Sequence, residues 1–237
     1  MKKTFFTFKQ FIIHQDLAAM KVCTDACLLG ALAQFNTPTN LLDIGAGTGL
    51  LAFMLAQKYP KTSILAVEQE FKAIQQIEKN KRENPAFSNI QLFPKSIQEL
   101  PISSVKFDGI VCNPPFYSDH LVSPDPSRAL AHHQDTLTAE TLAWAIDQFL
   151  DDQGTAWLMY PPHEMAHFLA YAAKKKWFPR YWIDTSHTPK HPINRTYIAL
   201  QKNSSHAVQH SNFPIYQTDG QYHPTFRELL KEYYIIF

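Results

Sequence analysis

The 237-residue chain lacks most of the features that would assign a protein to a class at sight. Its cysteines are three, an odd number, and Cys23-x-x-x-Cys27 has no second Cys or His pair to complete a zinc site. Cys23, Cys27 and Cys112 are therefore expected as buried free thiols in a reducing compartment, with no metal bound. No stretch approaches the roughly 18 apolar residues of a membrane span. Lys2-Lys3-Thr4-Phe5-Phe6 begins as a signal peptide would, but Lys9 and His14-Gln15-Asp16 interrupt it before an apolar core can form. A cytoplasmic chain with no membrane partner is the expectation. Internal repeats and low-complexity tracts are also missing. Net charge is only +1, so no strong field of one sign is present, though the charge is uneven. Residues 158–237 hold nine Lys/Arg against five Asp/Glu and seven of the eleven histidines. Such a bias permits contact with nucleic acid without requiring it.

Hydrophobic residues make up 45% of the chain and charged ones 18%, enough to bury a sizeable core. From about residue 40, short apolar runs alternate with helical patterns, which predicts an α/β fold built of βαβ units around a mostly parallel sheet. Strands are expected at 41–44, 63–67, 89–93, 107–112, 155–160, 180–185 and 196–201, seven in all. Helices are expected at 50–58, from Phe71 to about Asn84, from Thr138 as N-cap through Leu150, and near 163–175. One domain suffices for 1–237, with residues 1–35 preceding an α/β core of 36–237. The stretch 113–137 fits no element, and an unstructured loop longer than about 12–15 residues is usually functional or disordered. Lys174-Lys175-Lys176-Trp177 is either a contact for RNA phosphates or a solvated helix end.

Two motifs carry chemistry. Asp43-Ile44-Gly45-Ala46-Gly47-Thr48-Gly49 follows the first strand, and glycines at alternate positions let the backbone turn sharply beneath a ligand. The spacing is not the dinucleotide fingerprint, because Leu50 stands where its third glycine belongs, and no Gly-Lys-Ser/Thr follows to make a P-loop. The second strand ends at Glu68, 23 residues after Gly45, where a carboxylate can accept ribose hydroxyls. At the end of the fourth strand stands Asn113-Pro114-Pro115-Phe116. A purine amino group is a poor nucleophile because its lone pair is delocalised into the ring. Two acceptors, the Asn113 side-chain oxygen and the Pro114 carbonyl, can hold its two N–H bonds and favour a pyramidal nitrogen aligned for in-line attack. Pro115 confines Pro114 to extended backbone and so fixes where that carbonyl points. Phe116 offers a face on which a flipped base stacks.

The glycine motif resembles the first motif of Rossmann-like, class I S-adenosylmethionine-dependent methyltransferases. The chain as a whole resembles the bacterial tRNA1(Val) adenine-37-N6 methyltransferases. That likeness runs from Phe8-Lys9-Gln10-Phe11 and Met20-Lys21-Val22-Cys23-Thr24-Asp25-Ala26-Cys27-Leu28-Leu29-Gly30 to Arg227-Glu228-Leu229-Leu230-Lys231-Glu232-Tyr233-Tyr234. It implies S-adenosylmethionine as cofactor, tRNA as substrate and no stable protein partner. It further implies that the segment before the sheet closes over the methionine end of the cofactor, with Lys21, Thr24 and Asp25 as contacts. Asp43, Gly45, Gly47, Gly49, Glu68, Ser96, Ile97 and Asn113 complete the cofactor set. Arg128, His132 and His133, in a stretch that resembles the family's basic segment after the tetrapeptide, join Phe116 on the substrate side. Relatives tend to carry Asp-Ile where this chain has Ser96-Ile97, so the adenine would lose a charge-assisted acceptor. Ribosomal-RNA guanine-N2 and release-factor glutamine methyltransferases use the same tetrapeptide and are the competing expectations. The latter usually carry a longer N-terminal domain and Tyr in place of Phe116.

Overall fold

The computed structural model describes residues 4–18, 20–103, 106–115, 137–202 and 207–237. A short hairpin, β1 (Phe5–Thr7) and β2 (Ile12–His14), leads to α1 (Thr24–Leu32). There follow β3 (Asn40–Ile44), α2 (Leu50–Lys58), β4 (Ser63–Val67), α3 (Phe71–Glu83), β5 (Ile90–Phe93) and a 3-10 turn (Ile97–Glu99). After β6 (Phe107–Cys112) come α4 (Ala139–Phe149), β7 (Leu150–Tyr160), α5 (Pro162–Lys174), β8 (Trp177–Ser186) and β9 (Ile193–Lys202). The described chain closes with β10 (Gln209–Pro214) and α6 (Pro224–Leu230).

Period-two alternation makes one sheet with two covered faces. Along β7, Ala156, Leu158 and Tyr160 enter the core beneath α4 and α5, while Trp157 and Met159 enter the core beneath α1 and α2. Residues 197–200 of β9 divide in the same way. The strand order is β10-β8-β9-β7-β6-β3-β4-β5, and β9 alone runs antiparallel to its neighbours.

The sheet has eight strands rather than the expected seven. The additional one, β10, pairs in parallel with the edge of β8 and buries only Phe213 deeply. Backbone bonding rather than an apolar stripe holds it, so hydrophobic periodicity carries no trace of it. The helix α1 escaped for the opposite reason. Seven of its nine residues are buried, Ala26 through Leu32, and a helix that is apolar all round has no amphipathic period. Lys58 braces the end of this helix by donating to the carbonyls of Gly30, Ala31 and Ala33 at 3.1, 2.6 and 2.9 Å.

The N-terminal hairpin is laced to the core by amide side chains on α3. Asn80 accepts from His14 N–H at 2.8 Å and donates to the carbonyls of His14 and Thr48 at 3.0 and 2.9 Å. Asn84 accepts from Ile12 N–H and donates to its carbonyl, and Gln76 accepts from Leu17 N–H. These three residues stand four apart, so they form one stripe along the helix.

Candidate active site

The centre of the sheet places both motifs side by side. In the register, Ile44 of β3 lies opposite Cys112 of β6, so Gly45 and Asn113 leave neighbouring strand ends about 5 Å apart. From β3 the chain steps to β4 on one side, while β6 flanks it on the other. This is the switch point, the place at the carboxyl ends of the strands where such sheets bind their ligands.

The glycine loop is built from left-handed backbone. Gly45, Gly47 and Gly49 have φ of 71°, 57° and 83°. Gly49 caps α2, and a Cβ there would lie 2.7 Å from Ile77 Cγ1, so that glycine lets the loop settle onto α3. Around Gly47 a Cβ would meet nothing within 4 Å. Gly47 therefore leaves a cradle over which a ligand can approach the backbone.

Two carboxylates organise this loop. Asp43 is fully buried beneath it and accepts from Ala52 N–H at 3.0 Å through one oxygen, while the other oxygen has no hydrogen-bond partner. Burial raises its pKa to about 7, opposed by the Ala52 bond and assisted by the charge of Glu68. Glu68, also buried, accepts from Gly47 N–H at 2.8 Å on Oε2 and from Gln69 and Glu70 N–H, each at 2.8 Å, on Oε1. A carboxylate offers about four lone-pair sites, so one remains, on Oε2. Glu68 thus fixes the loop, and as placed it has room for one ribose hydroxyl rather than both.

Asn113 is half-buried, Pro114 buried and Pro115 exposed. The Asn113 amide donates to the Met20 sulfur at 3.5 Å, and its Oδ1 is buried without a donor among the described residues. An orphan buried acceptor is costly, so this oxygen is open to a donor from outside the described residues.

The remaining expected residues are placed as follows. Ser96 caps the 3-10 turn, and its hydroxyl donates to Glu99 Oε1 at 3.3 Å, while Ile97 is buried in the core. Glu99 thereby brings a carboxylate next to Ser96. Asp25 forms an ion pair with Arg195 Nε at 2.8 Å, Thr24 opens α1, and Lys21 is exposed. Phe116, Arg128, His132 and His133 lie outside the described residues. Cys27 and Cys112 are buried free thiols, whereas Cys23, expected to be buried as well, is only partly so. Burial raises the pKa of Cys23, pushes Cys27 to about 12 and lifts Cys112 well above its ordinary value. Among the described residues no group of three or more His, Cys, Asp or Glu is placed to hold a metal ion, and no helix is long and apolar enough to cross a membrane.

Two participants were not foreseen. Met20 covers Asn113 from the segment before α1, a contact no motif announces. Asn80 ties the carbonyl of Thr48 in the glycine loop to the N-terminal hairpin, and its only sequence signal is the polar stripe 76, 80, 84 on a helix.

Comparison with known proteins identifies the family and the fold. Residues 23–161 match the family described as the Methyltransferase small domain. A predicted O-methyltransferase of Agrobacterium tumefaciens shares the fold, with a TM-score of 0.68, 15% identity and coverage of 88% of this chain and 96% of that one. TYW2 of M. jannaschii, solved in complex with AdoMet, aligns with a TM-score of 0.57 and 15% identity over 85% of this chain and 88% of that one. The tRNA1(Val) (adenine(37)-N6)-methyltransferase of Dyadobacter fermentans is 37% identical over 235 residues, covering 98% of each chain. With that identity over nearly the whole length, and the glycine loop and Asn113-Pro114-Pro115 meeting at the switch point, the chain belongs to the tRNA1(Val) (adenine(37)-N6)-methyltransferase family.

Proposed function

We propose that this protein transfers the methyl group of S-adenosylmethionine to the N6 amine of adenosine 37 in tRNA1(Val). One observation carries the chemistry: the Asn113 Oδ1 is a buried acceptor with no donor among the described residues, at the strand end beside the open cradle of Gly47. The full-length likeness to the Dyadobacter enzyme supports the substrate.

The residues present fit the cofactor. Gly47 offers its open backbone and Glu68 its remaining lone-pair site for the ribose. Ser96, Ile97 and the neighbouring Glu99 border the adenine position. Residues 1–35, with Lys21, Thr24 and Asp25, cover the methionine end; the Asp25–Arg195 pair then anchors this cover to β9. When bound, S-adenosylmethionine supplies an electrophilic methyl on a sulfonium.

Asn113 Oδ1 and the Pro114 carbonyl accept the two N–H bonds of the adenine amine. Held this way, the nitrogen lone pair is withdrawn from the ring and aligned with the methyl–sulfur bond. The nitrogen–carbon bond forms as the carbon–sulfur bond breaks, and the now acidic amine releases one proton to water. Phe116 stacks on the flipped base, and Arg128, His132 and His133 meet its phosphates. An unpaired loop base is the least costly to extrude, because only stacking must be broken. The enzyme acts on tRNA in the cytoplasm without a stable protein partner.

Mass spectrometry of tRNA nucleosides from cells lacking the protein tests this assignment. N6-methyladenosine should disappear from tRNA1(Val) and return on incubation with purified enzyme and cofactor. An unchanged nucleoside profile would remove the assignment.

A further inference from the structure

The carboxyl edge of the sheet extends well past Asn113. β8 and β10 run in the same direction as β6, so the turn after Ser186 and the segment after Pro214 open on the active-site edge. In the strand order β8 is three places from β6 and β10 four, which sets them about 14 and 19 Å away.

This edge has an unusual charge. From Thr185 to Thr218 the sequence contains no Asp or Glu, while it carries Lys190, Arg195, Lys202 and four histidines. Lys202 ends β9 on the opposite edge, beside Asp152. His206 lies outside the described residues, and His210 stands near the amino end of β10, stacked on Trp182. Lys190, His187 and His191 remain, exposed in the β8–β9 turn. Arg195 stands just inside them, paired with Asp25.

The turn is held firmly. Ser186 Oγ and His191 N–H both donate to the Thr188 carbonyl, at 2.9 and 3.0 Å. The Thr188 hydroxyl and His191 Nδ1 share a hydrogen bond of 2.7 Å. Tyr216 N–H donates to the His187 carbonyl at 3.0 Å. The rings form a ladder: His191 to His187 at 5.4 Å, His187 to Tyr216 at 5.0 Å, Tyr216 to Tyr222 at 4.8 Å and Tyr222 to Phe226 at 5.0 Å. Phe226 is buried, so the ladder is rooted in the core and ends in two exposed imidazoles.

We propose that this ladder and Lys190 form a docking surface for the sugar–phosphate backbone of the RNA strand that flanks the modified base. The inference rests on the tRNA assignment above and adds where, apart from the base pocket, the RNA is held. The β8–β9 turn itself carries no acid, and Asp25 is neutralised by Arg195. Among the described residues Asp219, in the turn between Tyr216 and Tyr222, is the one exposed acid beside the ladder. Lys190 and the imidazoles on their rigid support can therefore receive phosphates. Its charge is modest, so it contributes position more than bulk affinity. The Lys174-Lys175-Lys176 run does not share this role. It ends α5 and precedes β8, on the amino edge of the sheet away from Asn113.

Binding of tRNA1(Val) transcript to the full-length enzyme, measured by filter retention across a salt series, tests the proposal. Lys190→Glu, and separately His187→Ala with His191→Ala, should each raise Kd about tenfold. The charge reversal should also reduce the slope of log K against log salt by about one. Cofactor affinity should be unchanged in both variants and Tm unchanged in Lys190→Glu, while the double histidine variant loses the Thr188–His191 bond and two rings and should lower Tm modestly. Lys176→Glu on the amino edge should bind as wild type does. Unaltered Kd and slope in both edge variants would overturn the surface while wild-type methylation of tRNA continued. An equal loss in Lys176→Glu would also overturn it, since net charge alone would then explain the effect. Wild-type enzyme that neither binds nor methylates tRNA would remove the substrate assignment, and this surface with it.

Discussion

Replacing Asp43 by Asn isolates the cost of burying a carboxyl group under the glycine loop. The ordinary carboxyl pKa is 3.8, and burial lifts the folded-state value to about 7. Between those values the unfolded chain has given up a proton that the folded chain keeps. The folded state therefore loses ground as pH rises, and the loss is complete above about pH 7. For one group with these two values the penalty is about 2 kcal/mol at pH 5 and about 4 kcal/mol at pH 8. Asn does not ionise, so this term vanishes in the variant. Its carbonyl can still accept from Ala52 N–H, while its amide nitrogen takes the place of the unpartnered Oδ1. That orphan donor costs about 1–3 kcal/mol at every pH. Other titrating groups are common to both proteins and cancel. Urea unfolding without cofactor at pH 5, 6, 7 and 8 gives the quantity needed. Wild-type stability minus variant stability should fall by about 2–3 kcal/mol from pH 5 to pH 8. A difference constant across that range would show that folded Asp43 ionises at its ordinary value and would refute the reasoning.

Glu68→Gln removes the charge proposed to receive a ribose hydroxyl and disturbs one of three backbone contacts. Calorimetry should show S-adenosylmethionine binding weakened by about 1.5–3 kcal/mol, and unchanged affinity would take Glu68 out of the cofactor site. Asn80→Ala severs three hydrogen bonds that join α3, the N-terminal hairpin and the glycine loop. It should cost about 2–4 kcal/mol in urea unfolding, and a loss below about 1 kcal/mol would mean that the lacing carries no load.

Much of the core sheet was legible because the central strands are apolar runs, α3 and α4 are amphipathic, and α2, as buried as α1, is marked by the glycine motif before it and the strand after it. The strands at 63–67 and 107–112 and the helix at 50–58 stand as expected, and Thr138 does cap α4 by accepting from Thr141 N–H. What escaped has physical causes in common. β10 is a polar edge strand, α1 is too apolar to show a face, and the hairpin of β1 and β2 is held by amides from a distant helix. At the site, the glycine spacing and the position of Glu68 singled out a loop that the structure builds from left-handed glycines, with Glu68 bonded to its backbone. They did not reveal that Glu68 spends most of its acceptor capacity on that loop's backbone and its neighbours. Met20 over Asn113 is a tertiary contact across 93 residues, beyond the reach of local pattern.

The central claim is that Asn113 holds the N6 amine of adenosine 37 for methyl transfer, and one labelling assay tests it most directly. Unmodified tRNA1(Val), the same tRNA with guanosine at position 37, ribosomal RNA and a release factor are each incubated with labelled S-adenosylmethionine and enzyme. Label should enter only the first, as N6-methyladenosine. With Asn113→Ala it should enter about 10²–10³-fold more slowly, while cofactor affinity stays within about twofold of wild type. Full turnover by Asn113→Ala, or label in ribosomal RNA or the release factor but not in tRNA1(Val), would contradict the account.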